Sequence, residues 1–249
     1  MSDENTPFFL DLFSVMAGEY KEDFNRATDP NILGCSELMF CSRKLAIKKI
    51  IKFGEIDTTA RMLHGKILHG VVQSKGILPE ILVPMSLNLN HRWRNLDVEV
   101  ERHIREEISP GKFLDGHVDV YTNRFLVEIK TTSMLLEYYT KEVAPFHFAQ
   151  INLYMGFTGV HDAYILSINT RGLDSKSPKL TDLSRKWTYC VPVTFDQFVF
   201  DSLVEKAKSL FDAIDAEVFE VFEGPEYGWE CKYCPKEVKE ICGRDEKPK

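Results

Sequence analysis

The stretch GHVDVYTNRFLVEIKTT, residues 116–132, decides how this chain is read. Two runs of alternating residues are joined by the short connection Asn123-Arg124, which predicts two adjacent strands. A side-chain period of two puts Asp115, His117 and Asp119 on the face opposite Gly116, Val118 and Val120, and puts Glu128 and Lys130 together on one face. A tight hairpin sets Asp119 beside Glu128 and Lys130. Charges on a covered sheet face cost several kcal/mol unless they are paired or coordinate a metal. Two converging carboxylates repel unless a cation lies between them, and hard oxygen ligands suit Mg or Mn. An ammonium beside such an ion can orient an attacking water or stabilise charge developing on a phosphate, which is the chemistry of phosphodiester hydrolysis; taken alone, the Asp and Glu-x-Lys pattern is more often a half-exposed hairpin carrying ordinary surface charges.

Working outward, helices are expected at Phe8 to Phe24, from Ser36 as N-cap to Gly54 as stop, and over residues 58–76, where Met62, Leu63, Ile67, Leu68, Val71 and Val72 fall at helical spacing. From Ile81 to Val127 the pattern changes to strands: ILVPMSLNL, LDVEVERHI, KFLDGHVDVYT and RFLVEIKTT. A helix over APFHFAQINLYMGFTG, a strand over 162–170, a polar loop to about Ser184, a strand over KWTYCVPVT and a long amphipathic helix after it complete a mixed α/β core. The tail from Gly224 carries little apolar content, so something other than its own packing must order it.

With 249 residues, 44% hydrophobic and 28% charged, the chain suits one sizeable core with a small appendage. No segment offers the roughly 20 apolar residues of a membrane span. The N-terminus MSDENTPFFLDLF has neither the basic start nor the apolar run of a secretory signal, so a cytoplasmic address is expected. The net charge of -7 argues against coating nucleic acid through a global positive field. Local phosphate contacts from Arg43 to Lys52, HRWR (91–94) or RMLHGK (61–66) stay open, beside the plainer reading of solvated surface.

Cytosolic thiols stay reduced, so the six cysteines are better read as metal ligands than as disulfides. Cys231, Cys234 and Cys242 lie in one short tail with a two-residue gap between the first pair. A tetrahedral centre needs a fourth thiol, for which Cys41, Cys35 and Cys190 are candidates, although Cys190 and Cys35 also suit buried apolar positions. Zinc and a 4Fe-4S cluster both accept four thiolates.

Two further features accompany the hairpin. Gln150 and Tyr154 in AQINLY lie four apart and share a helix face, and His69 in GKILHG offers an imidazole. Each is ordinary alone; the order HGKILH, GHVDV, VEIK, QINLY is specific. It resembles the RecB-like branch of the PD-(D/E)XK nuclease superfamily over roughly residues 36–170. The superfamily's Pro-Asp is here Val118-Asp119, and only the aspartate carries chemistry. The resemblance implies a restriction-endonuclease-like core with a central mixed sheet. In it His69, Asp119, Glu128 and the Ile129 carbonyl would hold Mg2+ or Mn2+, Lys130 would activate water, and Gln150 with Tyr154 would line the DNA site. FCSRKLAI, with a cysteine just before an Arg/Lys pair and a cysteine triplet at the far end, is similar to CRISPR-associated RecB-like exonucleases and iron-sulfur helicase-nucleases. That implies a structural 4Fe-4S cluster on Cys41, Cys231, Cys234 and Cys242.

The organisation so implied is an N-terminal helical region (1–57), a nuclease core (58–222) and a cluster-binding tail (223–249). The activity implied is 5′ to 3′ exonucleolytic hydrolysis of single-stranded DNA, with CRISPR adaptation proteins as partners in antiviral defence or a role in DNA repair, no membrane, and room for an oligomer. The alternatives are a non-catalytic DNA-binding adaptor of a spacer-acquisition complex and a zinc-containing endonuclease.

Overall fold

The computed structural model describes residues 26–53, 97–132, 144–169, 188–225 and 228–243. The expected helices at Phe8 to Phe24 and 58–76, the strand ILVPMSLNL, the loop to Ser184, and the basic stretches 61–66 and 91–94 lie outside them. The chain divides into two units. One comprises Met1–Asp57, Glu107–Leu114 and Lys206–Lys249; the other comprises Thr58–Glu106 and Asp115–Glu205.

The second unit is built on a mixed sheet. β2 (Val98–Ser109) pairs with β3 (Lys112–Thr122), whose tips belong to the first unit. Antiparallel to β3 runs β4 (Leu126–Thr132), in a register that sets Val120 against Val127 and Tyr121 against Leu126. The connection is organised by Thr122, whose hydroxyl donates to the Phe125 carbonyl at 2.7 Å and accepts from the Phe125 N–H at 2.9 Å. Next to β4, and parallel to it, lies β5 (Asp162–Asn169), and β6 (Thr188–Thr194) closes this series antiparallel to β5. A parallel pair needs a crossover; here it contains α2 (Ala144–Thr158), which packs on β4 and β5.

One sheet face carries the apolar cluster of Val120, Phe125, Val127, Ile129, Leu166 and Ile168, with Cys190 packed against it. Burial pushes the Cys190 thiol up to about 12, as suits a sulfur acting as a small apolar group. α2 buries Ile151, Leu153 and Met155 completely. Its buried Asn152 accepts the Asp196 N–H at 2.8 Å, while Asp196 Oδ1 accepts the Phe198 and Val199 N–H groups and so caps α3 (Gln197–Asp215).

In the first unit, β1 (Ile32–Gly34) lies beside the start of β3, the Phe113 N–H donating to Asn31 O at 2.9 Å. The helix expected from Ser36 is divided. Ser36 precedes a single 3-10 turn, Glu37–Met39, without a side-chain cap, and α1 begins later, over Ser42–Ile50. Burial of Leu38 and Met39 takes the chain through an extended Phe40, after which the Cys41 sulfur accepts the Lys44 N–H at 3.5 Å. The helix stops at Ile51, followed by Lys52 in the left-handed region at φ 51. The basic run from Arg43 is only partly a surface. Arg43 is buried and donates to the Phe219 and Glu220 carbonyls at 3.3 and 3.0 Å. Lys49 is buried with its ammonium on the Arg26 carbonyl at 2.7 Å. The tail forms two short helices, α4 (Gly228–Lys232) and α5 (Lys236–Cys242), and α5 packs on α1.

Candidate active site and thiol pocket

The β3–β4 register, carried one step beyond Val120 and Val127, brings Asp119 across from Glu128. There the Ile129 N–H donates to Asp119 Oδ2 at 2.5 Å. Lys130, two residues after Glu128 on the same face, places its ammonium 2.5 Å from Glu128 Oε1. α2 supplies the rest. Gln150 Nε2 donates to Glu128 Oε1 at 2.9 Å and to the Tyr154 hydroxyl at 3.1 Å, and Gln150 Oε1 accepts from Lys130 at 3.2 Å. These bonds fix which way the amide points. Six of the residues singled out in the sequence, Asp119, Glu128, Ile129, Lys130, Gln150 and Tyr154, therefore meet in one network; His69 lies outside the described residues.

Electrostatically the site is incomplete. Glu128 is 2% exposed, and its Oε2 is buried without a hydrogen-bond partner. Such a group forfeits about 1–3 kcal/mol, more when charged. Burial holds the Asp119 carboxyl well above the usual carboxylate range, and the Glu128 charge adds to this; Lys130 and the Ile129 N–H oppose it, and Glu101 reinforces it weakly. A divalent ion held by the two carboxylates would oppose both effects by favouring their charged forms. The donor set fits one: two acids, with the backbone at Ile129 beside them.

Among the described residues no group of three or more His, Cys, Asp or Glu side chains is arranged to hold a metal ion. At Asp119 and Glu128 the shortfall is one of number, since only two of the expected ligand side chains are described there.

Reading the sequence missed two contributors. Glu101, a third carboxylate acting on Asp119, stands in β2 with φ 53, a bulge-like conformation that alternation does not reveal. His147 lies one turn before Gln150 on α2, a spacing that was visible; burial and the Lys130 ammonium pull its pKa down to about 3, so the imidazole is neutral.

Within the first unit, one pocket is lined by Cys41, Cys231, Cys234 and Cys242, together with Arg43, Lys44 and Glu230. Cys35 is fully buried elsewhere in the core. α1 presents Cys41 and the tail presents the other three, with Glu230 Oε2 accepting the Cys41 N–H at 2.7 Å. Burial raises the thiols of Cys41 and Cys234; Lys44 opposes this at Cys234. The four sulfurs share a lining without closing on one point.

No protein family matches the chain by sequence, and no curated protein does. The fold is similar to the crystal structure of SSO0001, at a TM-score of 0.55 and 15% identity over 91% of this chain and 95% of that one. It is also similar to the alkaline exonuclease LHK-Exo from Laribacter hongkongensis, at a TM-score of 0.54 and 15% identity over 81% of this chain and 95% of that one. LHK-Exo in complex with dAMP gives a TM-score of 0.53 at 15% identity, over 79% and 93%. The mixed α/β fold of this chain, with α2 against its sheet, is thus one that an alkaline exonuclease also adopts.

Proposed function

We propose that this chain is a divalent-metal-dependent DNA nuclease, hydrolysing single-stranded DNA from an end, 5′ to 3′. The observation that carries the reading is the largely buried network of Asp119, Ile129, Glu128, Lys130, Gln150 and Tyr154, in which Lys130 is half-buried and one Glu128 oxygen is left unsatisfied. Asp119, Glu128 and the Ile129 carbonyl, with His69, would hold Mg2+ or Mn2+, which when bound supplies Lewis-acid polarisation of a phosphate and of water. Lys130, anchored by Glu128 and Gln150, orients the attacking water and offsets charge on the phosphate. Gln150 fixes both charged partners, and Tyr154 holds Gln150. The likeness in fold to an exonuclease solved with a mononucleotide supports this reading.

Cys41, Cys231, Cys234 and Cys242 would carry a 4Fe-4S cluster that ties the tail to α1; their common pocket supports that assignment. The division into 1–57, 58–222 and 223–249 follows from it. A place in CRISPR adaptation, antiviral defence or DNA repair, and a cytoplasmic address, belong to the same proposal; among the described residues no helix is long and apolar enough to cross a membrane.

The test follows single-stranded DNA labelled at either end with Mn2+ present, for the parent and for Lys130→Ala. A 5′ to 3′ product ladder lost in the variant supports the reading. Binding without cleavage by the parent would favour the adaptor. Brown, iron-containing protein after anaerobic purification supports the cluster, whereas colourless protein with stoichiometric zinc would replace it.

A further inference from the structure

Alternation places Asp115, His117, Asp119 and Tyr121 on one face of β3. His117 is exposed, and its ring lies parallel to that of His103 on β2, with centroids 4.8 Å apart and an interplanar angle of 21°. His103 Nε2 stands 2.9 Å from Oδ2 of the buried Asp115, while 51% of the His103 side chain stays accessible. On the other side of Asp119 the same face carries Tyr121, with the Arg102 guanidinium 3.7 Å over its ring. A stacked imidazole pair and a cation–π pair therefore bracket Asp119, and the nuclease chemistry uses neither.

We propose that the His103–His117 pair is a base-stacking platform for a single-stranded nucleic acid whose scissile phosphate lies at Asp119; the location of that phosphate rests on the nuclease reading. Two residues along a strand span about 7 Å, roughly two base steps at the 3.4 Å spacing of stacked DNA. The platform thus meets a base one or two nucleotides from the bond that is cut. The base, and not its phosphate, is the partner: the buried Asp115 carboxylate lies 2.9 Å from His103 Nε2, so a phosphate placed on this pair would face a carboxylate. A π surface accepts every base, which suits degradation without regard to sequence. Asp115 acts as a positioning residue that holds the His103 ring.

The experiment measures binding of a fluorescein-labelled oligothymidylate in EDTA, with a single abasic site moved stepwise along the strand, for the parent, His117→Ala and His117→Phe. One abasic position is expected to weaken binding by the parent about tenfold, the scale of one base stacked on an aromatic ring. His117→Ala should bind the intact strand about tenfold more weakly and show no penalty at that position, and His117→Phe should restore both. An equal abasic penalty in His117→Ala, or a scan without any position-specific loss in the parent, overturns the platform. Cleavage with Mn2+ is scored separately. A parent that cuts DNA with a flat scan keeps the nuclease reading and loses this inference. A parent that shows the His117-dependent position without cutting keeps the platform and loses the nuclease, and one that binds no strand loses both.

Discussion

Replacing Gln150 by leucine removes a side chain of α2 that is bonded to both Glu128 and Lys130. Three hydrogen bonds disappear: to Glu128 at 2.9 Å, to Tyr154 at 3.1 Å and from Lys130 at 3.2 Å. Glu128 and Lys130 keep each other at 2.5 Å, so the ion pair survives and only its anchoring is lost. Bonds to charged groups contribute about 1.5–3 kcal/mol each, and a buried polar atom deprived of a partner costs about 1–3 kcal/mol. Leucine is of similar volume and recovers part of this by burial, leaving a loss of about 3 kcal/mol. For a chain of this size that lowers the melting temperature by roughly 6–12 °C. The sharper measurement is a double-mutant cycle with Lys130→Met, read by denaturant unfolding in EDTA. Contacting residues couple by about 0.5–3 kcal/mol, whereas independent ones add within about 0.5 kcal/mol. Additive losses from Gln150→Leu and Lys130→Met would refute the network.

Three further outcomes are expected. Because the folded state holds a proton on Asp119 that the unfolded chain releases near its ordinary value, metal-free protein loses stability as pH rises from about 4 through the raised folded value; melting in EDTA between about pH 5 and pH 8 should fall more steeply for the parent than for Asp119→Asn, and equal slopes would contradict the assignment. Cys41→Ser should lose most of its iron and let protease remove the tail after about residue 223, since the binding energy of a structural centre is folding energy on the order of 10 kcal/mol; full iron content would exclude Cys41 as a ligand. Gly156→Ala drives a methyl into the Phe200 ring, which Phe157 and Phe195 hold in place, and should cost about 1–3 kcal/mol in unfolding free energy.

The hairpin was legible because alternation of period two is the strongest local signal a strand can give, and Asp119, Glu128 and Lys130 followed from it. Gln150 and Tyr154 were legible for the same reason on a helix. The three tail cysteines announced themselves by spacing, but their proximity to Cys41 depends on α1 packing on α5 across nearly the whole chain. Where Ser36 was read as a helix start, tertiary burial of Leu38 and Met39 overrode a local cap preference, and a cysteine sulfur took the cap instead. The basic run hid two buried side chains, since Arg43 and Lys49 are held by carbonyls of residues remote from α1. The His103–His117 stack was out of reach because it needs the β2–β3 register, and the left-handed residues Glu101 and Gly111 on that hairpin shift any register counted from sequence.

The central claim is that Asp119 and Glu128 share a divalent ion. Calorimetric titration of Mn2+ into metal-stripped protein tests it most directly, with the parent, Asp119→Asn and Glu128→Gln compared at constant ionic strength. Binding by the parent that each substitution weakens by more than about tenfold is the predicted result, equivalent to about 1.4 kcal/mol or more per lost charge. Mn2+ affinity unchanged in both variants would contradict it.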